Sequence, residues 1–248
     1  MQKVLFIFSR RRFVIATGFF CLIIAVLLWI HDVPKTPTEK DTSAILAIYP
    51  ITFVNAEHLN FEQQIELIRA FQSSLHAAYS IGEPIDYYKP REPNDLIQNK
   101  EGRCYDFSRT IEKFLMLNNL KVRHVAVYQV NSEEGKWKSF LRPHGVSHSL
   151  TEVKTAKGWM IVDSNFEWIG IDKSGDPKSF FDICSAEQRS KKINWRYEVV
   201  RGYEPFFSCC PIYIYGLYSR HGCFYPPYNL IPDYNLKDLV YYNLLGWF

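Results

Sequence analysis

The chain has 248 residues, 47% hydrophobic and 22% charged, which excludes a disordered, collagen-like or low-complexity protein and suffices for one well-filled core. Its formal charge is +3, but residues 1–30 hold Lys3, Arg10, Arg11 and Arg12 and no acid, leaving 25 basic against 26 acidic residues in the remainder. A domain so nearly neutral, with its charges scattered, lacks the clustered basic face that nucleic acid requires, so no nucleic-acid partner is expected.

Phe13 to Ile30 is an 18-residue run without a charged side chain. At the helical rise it covers roughly 27 Å, the thickness of a bilayer's hydrocarbon core, and a transmembrane helix is expected in preference to a buried one. Four basic residues precede the run, against Lys35 and Lys40 after it, so residues 1–12 are expected to be a cytoplasmic tail with the bulk of the chain outside. His31-Asp32-Val33-Pro34-Lys35 offers no small-x-small cleavage site, and Gly18-Phe19-Phe20 before Cys21 is too bulky for a lipobox. The run therefore reads as a retained anchor. Residues 31–43, with Pro34 and Pro37 among polar residues, read as a linker holding a domain of residues 44–248 off the membrane.

Within that domain, Phe61, Ile65, Ile68, Leu75 and Tyr79 fall at helical spacing behind Asn60, a candidate N-cap. Residues 87–99, with Pro90 and Pro93, read as a loop or short helix, and Phe107, Ile111, Phe114 and Leu115 set a second helical stripe that starts close to Cys104. Residues 122–130, 145–154 and 158–163 have strand character, with Ala156-Lys157-Gly158 as a turn between the last two. A helix followed by antiparallel strands predicts an α+β fold.

Cys104, just before the second stripe, is expected at a helix N-terminus, where unpaired N–H groups and the macrodipole favour a thiolate. A structural cysteine is the bland alternative. His148 and Asp163 lie 15 residues apart on neighbouring strands, enough for a hairpin that sets the carboxylate behind the imidazole. Asp163 would then orient His148, and His148 would take the proton of Cys104, the logic of a catalytic triad.

At these residues the chain resembles the transglutaminase-like superfamily, a branch of the papain-like cysteine enzymes. Gly102-x-Cys104-x-Asp106-Phe107 is similar to its nucleophile block, and Leu120-x-Val122-Arg123-x-Val125 to the strand that follows. His148 with Glu152-Val153 is similar to the histidine strand, and Gly158-Trp159 through Asp163 to the aspartate block. The likeness covers roughly residues 90–168. It implies a transglutaminase-like core with the cysteine helix packed on an antiparallel sheet, Cys104 as nucleophile, His148 as general base and acid, and Asp163 as orienter. It implies no metal and no cofactor. Ser149-Leu150 departs from the small residue and Trp common in the family, and Ser164 from its frequent Pro. An oxyanion hole would use the Cys104 N–H and one upstream donor, with Gln98, Asn94 and Tyr88 as candidates.

Other features read mainly as structure. His144 with His148 is a weak metal pair, Cys209, Cys210, His221 and Cys223 match no common zinc spacing, and residues 172–176 read as a surface turn rather than a calcium loop. Cys104, Cys184, Cys209, Cys210 and Cys223 cannot all pair; Cys104 is left free if catalytic, and Cys223 bridging to Cys209 or Cys210 is the most local option. From Phe206 onward 13 of 43 residues are aromatic, an extension that packs on the core, walls a cleft, or with Trp247-Phe248 meets a membrane interface.

The expectation is a membrane-anchored thiol acyl-transfer enzyme, a peptidase, amidase or transamidase acting on an extracytoplasmic protein, peptide or glycan-linked amide. The alternatives are an inactive transglutaminase-like module that binds peptide or glycan in a cell envelope, and a type II glycosyltransferase, for which no Asp-x-Asp motif is present. Absence of any Asn-x-Ser/Thr sequon favours the periplasmic side of a bacterial inner membrane.

Overall fold

The computed structural model describes residues 2–86, 89–131, 133–142, 145–220 and 232–246, with residues 2–14 described by backbone alone. In chain order it contains α1 (Gln2–His31), α2 (Glu39–Ile48), α3 (Phe61–Ala78), β1 (Ser80–Ile81), α4 (Pro93–Asn99), β2 (Glu101–Gly102), α5 (Cys104–Leu117) and β3 (Val122–Tyr128). There follow α6 (Lys136–Leu141), β4 (Ser147–Thr155), β5 (Gly158–Val162), α7 (Phe180–Gln188), α8 (Glu204–Phe207), β6 (Ile212–Tyr215), β7 (Leu217–Tyr218), β8 (Asp233–Tyr234) and α9 (Leu236–Val240). Helix α3 begins as its sequence signals: the Asn60 side chain accepts from the Gln63 N–H at 3.0 Å, and the Gln63 side chain accepts from the Asn60 N–H at 3.1 Å.

The main sheet is antiparallel with order β5-β4-β3-β6. Alternation along the strands sends Val122, Val153, Met160 and Val162 to a core formed with α2, α3 and α5, where the rings of Phe71 and Phe114 stack 3.7 Å apart. Val125, Val127, Leu150 and Ile161 face the other way, into a second core made by Trp168, Phe180, Phe206, Phe207 and Tyr215. The architecture is α+β as expected, but β3 and β4 are covered on both faces because the aromatic C-terminal region supplies a whole layer.

Helix α1 displays the large apolar side chains of Ile15, Phe19, Phe20, Leu22 and Trp29 to the surroundings, Trp29 being 78% exposed. Among the described residues no helix is long and apolar enough to cross a membrane. The side chains of residues 13 and 14, the first of the predicted span, lie outside the described ones.

The segment 31–43 differs from the expected spacer. Val33 is fully buried and its N–H donates to the Tyr234 carbonyl at 2.7 Å. The Pro34 and Thr36 carbonyls accept from the buried Arg109 and Lys113, and Lys35 pairs with Asp238. Thr38 then caps α2, whose Asp41 pairs with Lys113 at 3.1 Å. Polar composition suggested solvation; these groups are instead the hydrogen-bond partners that buried cations on α5 require. The end of α1 is tied down as well, since Tyr234 Oη donates to the Leu28 carbonyl and Arg220 to that of Ile30.

Candidate active site

Cys104 is the first residue of α5 and a free, half-buried thiol. Gly102 delivers the chain there: a Cβ at this position would lie 2.8 Å from Asp106 Cβ and 3.0 Å from Leu96 Cδ1, so only glycine lets β2 approach α5 this closely. The Arg103 N–H donates to Asp106 Oδ2 at 2.9 Å, and Arg91 grips the same carboxylate with two bonds of 2.8 Å. Arg91 also donates to the Ser219 carbonyl, fastening the helix start to the C-terminal layer. The N–H groups of Cys104 and Tyr105 have no acceptor among the described residues, which leaves them as donors beside the sulfur.

Farther along α5, Arg109 is fully buried between Glu92 and Glu112, each at 2.8 Å, and Tyr218 donates to Glu112 at 2.8 Å. The carboxyl of Glu112 is buried, which alone would raise its pKa; Arg109, which also hydrogen-bonds it, and Lys35 hold it down at about 2. Helix α5 is thus clamped by paired charges along its length.

His148, near the start of β4, lies opposite Val127 of β3. Asp163 follows β5 directly, where the chain turns and the Asp163 N–H donates to the Trp168 carbonyl. His148 Nε2 donates to Asp163 Oδ2 at 3.1 Å, and the ring also hydrogen-bonds the Cys104 side chain. Both His148 and Asp163 are almost wholly buried. Burial by itself would lower the imidazole's pKa; the Asp163 carboxylate, its hydrogen bond and the Cys104 contacts overcome it and push the value up to about 10. The imidazolium is therefore the resting form, set between Asp163 and Cys104. Asp163 Oδ1 accepts the N–H groups of Asn165 and Phe166 at 2.8 and 3.1 Å, so both carboxylate oxygens are engaged and its orientation is set.

Further residues complete the site without a signal in the sequence. Tyr203 and Phe206 stand against the His148 ring, with centroids 5.0 and 5.7 Å away, and Asn165 donates to Tyr203 Oη at 2.8 Å. This part of the aromatic region walls the histidine. Gln72 of α3 donates to the Asp163, Phe166 and Trp168 carbonyls and holds the turn after β5. Ser164 Oγ donates to the Ser149 carbonyl at 2.6 Å, and Ser149 Oγ meets His124 Nε2 at 2.9 Å. The two departures from the family pattern are thus joined in one buried network. Of the candidate second oxyanion donors, Gln98 is exposed on α4, Asn94 is half-buried there, and Tyr88 lies outside the described residues.

The structure pairs Cys184 with Cys210, joining α7 to the segment between α8 and β6 rather than closing the local bridge expected at Cys210. Cys209 is free, and Cys223, His221, His144 and the Trp247-Phe248 end lie outside the described residues. Among the described residues no cluster of three His, Cys, Asp or Glu side chains could hold a metal. Asp172 pairs with Lys178 at 2.8 Å and accepts from the Ser174 and Asp176 N–H groups, which makes residues 172–176 a turn.

Residues 55–164 match the model of the Transglutaminase-like superfamily, a span that reaches upstream of the sequence likeness to take in α3 and contains Cys104, His148 and Asp163. The fold is mixed α+β with an antiparallel main sheet. Among solved structures, the chain is similar to a provisionally assigned cysteine protease from Cytophaga hutchinsonii, with 14% identity and TM-score 0.33 over 58% of this chain and 44% of that one. It is also similar to the (BACCR)NAT3 arylamine N-acetyltransferase from Bacillus cereus, described as having a Cys-His-Glu triad, with 13% identity and TM-score 0.32 over 52% of this chain and 49% of that one. A TGase is similar at 14% identity and TM-score 0.32 over 69% of this chain and 36% of that one. The chain spans less than half the length of each. No curated protein matches it.

Proposed function

We propose that this chain is a thiol acyl-transfer enzyme with Cys104 as nucleophile, His148 as general acid and base, and Asp163 as the group that orients it. The reading rests on one observation: His148 bridges a buried carboxylate and a thiol at a helix N-terminus. The Cys104 sulfur attacks an amide carbonyl carbon, the C–N bond breaks, and His148 gives its proton to the departing amine. The acyl group then passes from the thioester to water or to an amine, His148 takes a proton from that acceptor, and the thiolate is released. The Cys104 N–H would bind the developing oxyanion, a contribution of about 3 kcal/mol for one such donor. The substrate class is an extracytoplasmic amide on a protein, a peptide or a glycan-linked peptide, and the enzyme is a peptidase, amidase or transamidase. The exposed apolar stretch of α1 supports an anchor at residues 13–30 with the domain outside a bacterial inner membrane, held directly at the bilayer surface because residues 32–43 are packed.

The test is the rate of Cys104 alkylation against pH in the full-length chain, with peptide mapping of the label, compared with His148→Ala. A Cys–His ion pair gives fast labelling below pH 7 that the substitution abolishes, moving the apparent pKa toward the free-thiol value of about 8.5. Labelling that is slow, or indifferent to His148, refutes the proposal.

A further inference from the structure

Beside the triad lies a cavity of about 540 Å³ whose walls include the aromatic residues Tyr79, Phe166, Trp168 and Tyr197. It is bounded by elements that also build the site. Asn165 and Phe166 carry the N–H groups that hold Asp163, and the Phe166 ring meets Tyr203, the wall of His148, at 4.9 Å. On the other side His76 stacks on Phe107, one turn beyond Cys104, and Ser80-Ile81 pair with Glu101-Gly102 just before it.

The polar groups of this cavity share one character. Asn165 is 9% exposed, and its Oδ1 is buried with no hydrogen-bond partner. His76 Nε2, on another lining residue, is also buried without one. Burial lowers the pKa of His76 despite the nearby Asp163 and Glu167. Glu167 and Glu198 line the cavity as exposed carboxylates, and neither forms an ion pair among the described residues. Arg69 and Arg196 lie over Tyr197 at 4.7 and 5.7 Å, but they are not among the lining residues. The unfilled Asn165 acceptor, the unpaired carboxylates and the aromatic faces favour a positively charged hydrogen-bond donor; an anion would be repelled by the carboxylates and a purely apolar ligand would leave the buried acceptor empty.

We infer that this cavity is a subsite for a cationic nitrogen group, an ammonium or guanidinium on an apolar stem, presented to the triad by the substrate. As a subsite it rests on the acyl-transfer reading, whereas its ligand chemistry is measurable without it. The cation belongs either to a side chain of the acyl donor or to an acceptor amine.

The experiment is calorimetric titration of the full-length chain with benzylamine and benzamidine, using benzyl alcohol as the neutral isostere. Both cations are expected to bind saturably, at least tenfold tighter than the alcohol, and a Glu167→Gln/Glu198→Gln variant to lose about tenfold in affinity for the cations alone. Equal binding of amine and alcohol, or cation binding unchanged in the variant, overturns the inference. Esterase assays then separate the two sources. A tenfold kcat/KM preference for the p-nitrophenyl ester of Nα-acetyl-lysine over that of Nα-acetyl-norleucine, lost in the double variant, assigns the cation to the acyl donor. No ester preference, with turnover accelerated by benzylamine, assigns it to the acceptor. Cation binding with an inert Cys104 refutes the enzymatic reading and leaves the ligand class standing; a reactive Cys104 without cation selectivity refutes the subsite alone.

Discussion

Replacing Asp163 by Asn keeps the shape of the turn after β5, because the amide oxygen still accepts the Asn165 and Phe166 N–H groups, but it removes the charge that outweighs the burial of His148. Without it burial dominates, and the imidazole falls below its ordinary value of 6.5. In the native protein the pKa stands at about 10, above the unfolded value, so the charged pair stabilises the fold fully below pH 6.5 and loses that contribution as pH rises through about 10. At 1.36 kcal/mol per pKa unit, the native protein's advantage over Asp163→Asn from this source is roughly 5 kcal/mol at pH 6, about 3 at pH 8 and under about 0.5 at pH 10. Urea unfolding of both proteins at these three pH values measures the difference, and NMR titration of the His148 ring nitrogens locates its pKa in each. Acyl transfer should fall by roughly 10⁴, the cost of losing the orienting carboxylate in a serine triad. A stability difference independent of pH, or a His148 that titrates at the same pH in both proteins, would show that Asp163 does not hold the imidazolium.

Two further outcomes follow from buried groups away from the thiol. A chain beginning at Ala44 lacks Lys35, the Pro34 and Thr36 carbonyls and Asp41, which stranded Arg109, Lys113 and Glu112 need. It should be less stable than a chain beginning at Asp32 by about 3 kcal/mol or more, and equal urea midpoints would disprove the role given to this segment. His124 is buried between Ser108 and Ser149, and burial, aided by Arg109 and Lys35 against the opposing Glu112, lowers its pKa to about 3. Since the unfolded chain binds that proton first, stability should fall by about 1.4 kcal/mol per pH unit from pH 6.5 toward 3, a range in which His148 is charged in both states and contributes no slope. His124→Gln should flatten that acid limb; an unchanged slope assigns it to other groups.

Much of the site was legible because it is local. The stripe of Phe107, Ile111 and Phe114 sets where α5 begins, so Cys104 falls on its first turn, and the hairpin of β4 and β5 brings His148 to Asp163 over 15 residues. Asn60 announced α3 for the same reason, since a cap is a contact between near neighbours. What stayed hidden depends on partners far apart in the chain. Lys35 meets Asp238 across 203 residues, Arg91 joins Asp106 to the Ser219 carbonyl, and Tyr203 reaches His148 from a region with no periodic pattern. The apolar-poor stretch 31–43 resembled a solvated spacer because its burial is driven by hydrogen bonds to cations on α5, which leave no trace in hydropathy. Likewise, Cys184 finds Cys210 because α7 and the C-terminal layer pack on the same sheet face. Helical and strand periods, caps and turns are written in neighbouring residues, whereas ion pairs, a disulfide and the wall of a cleft exist only once distant segments have been packed together.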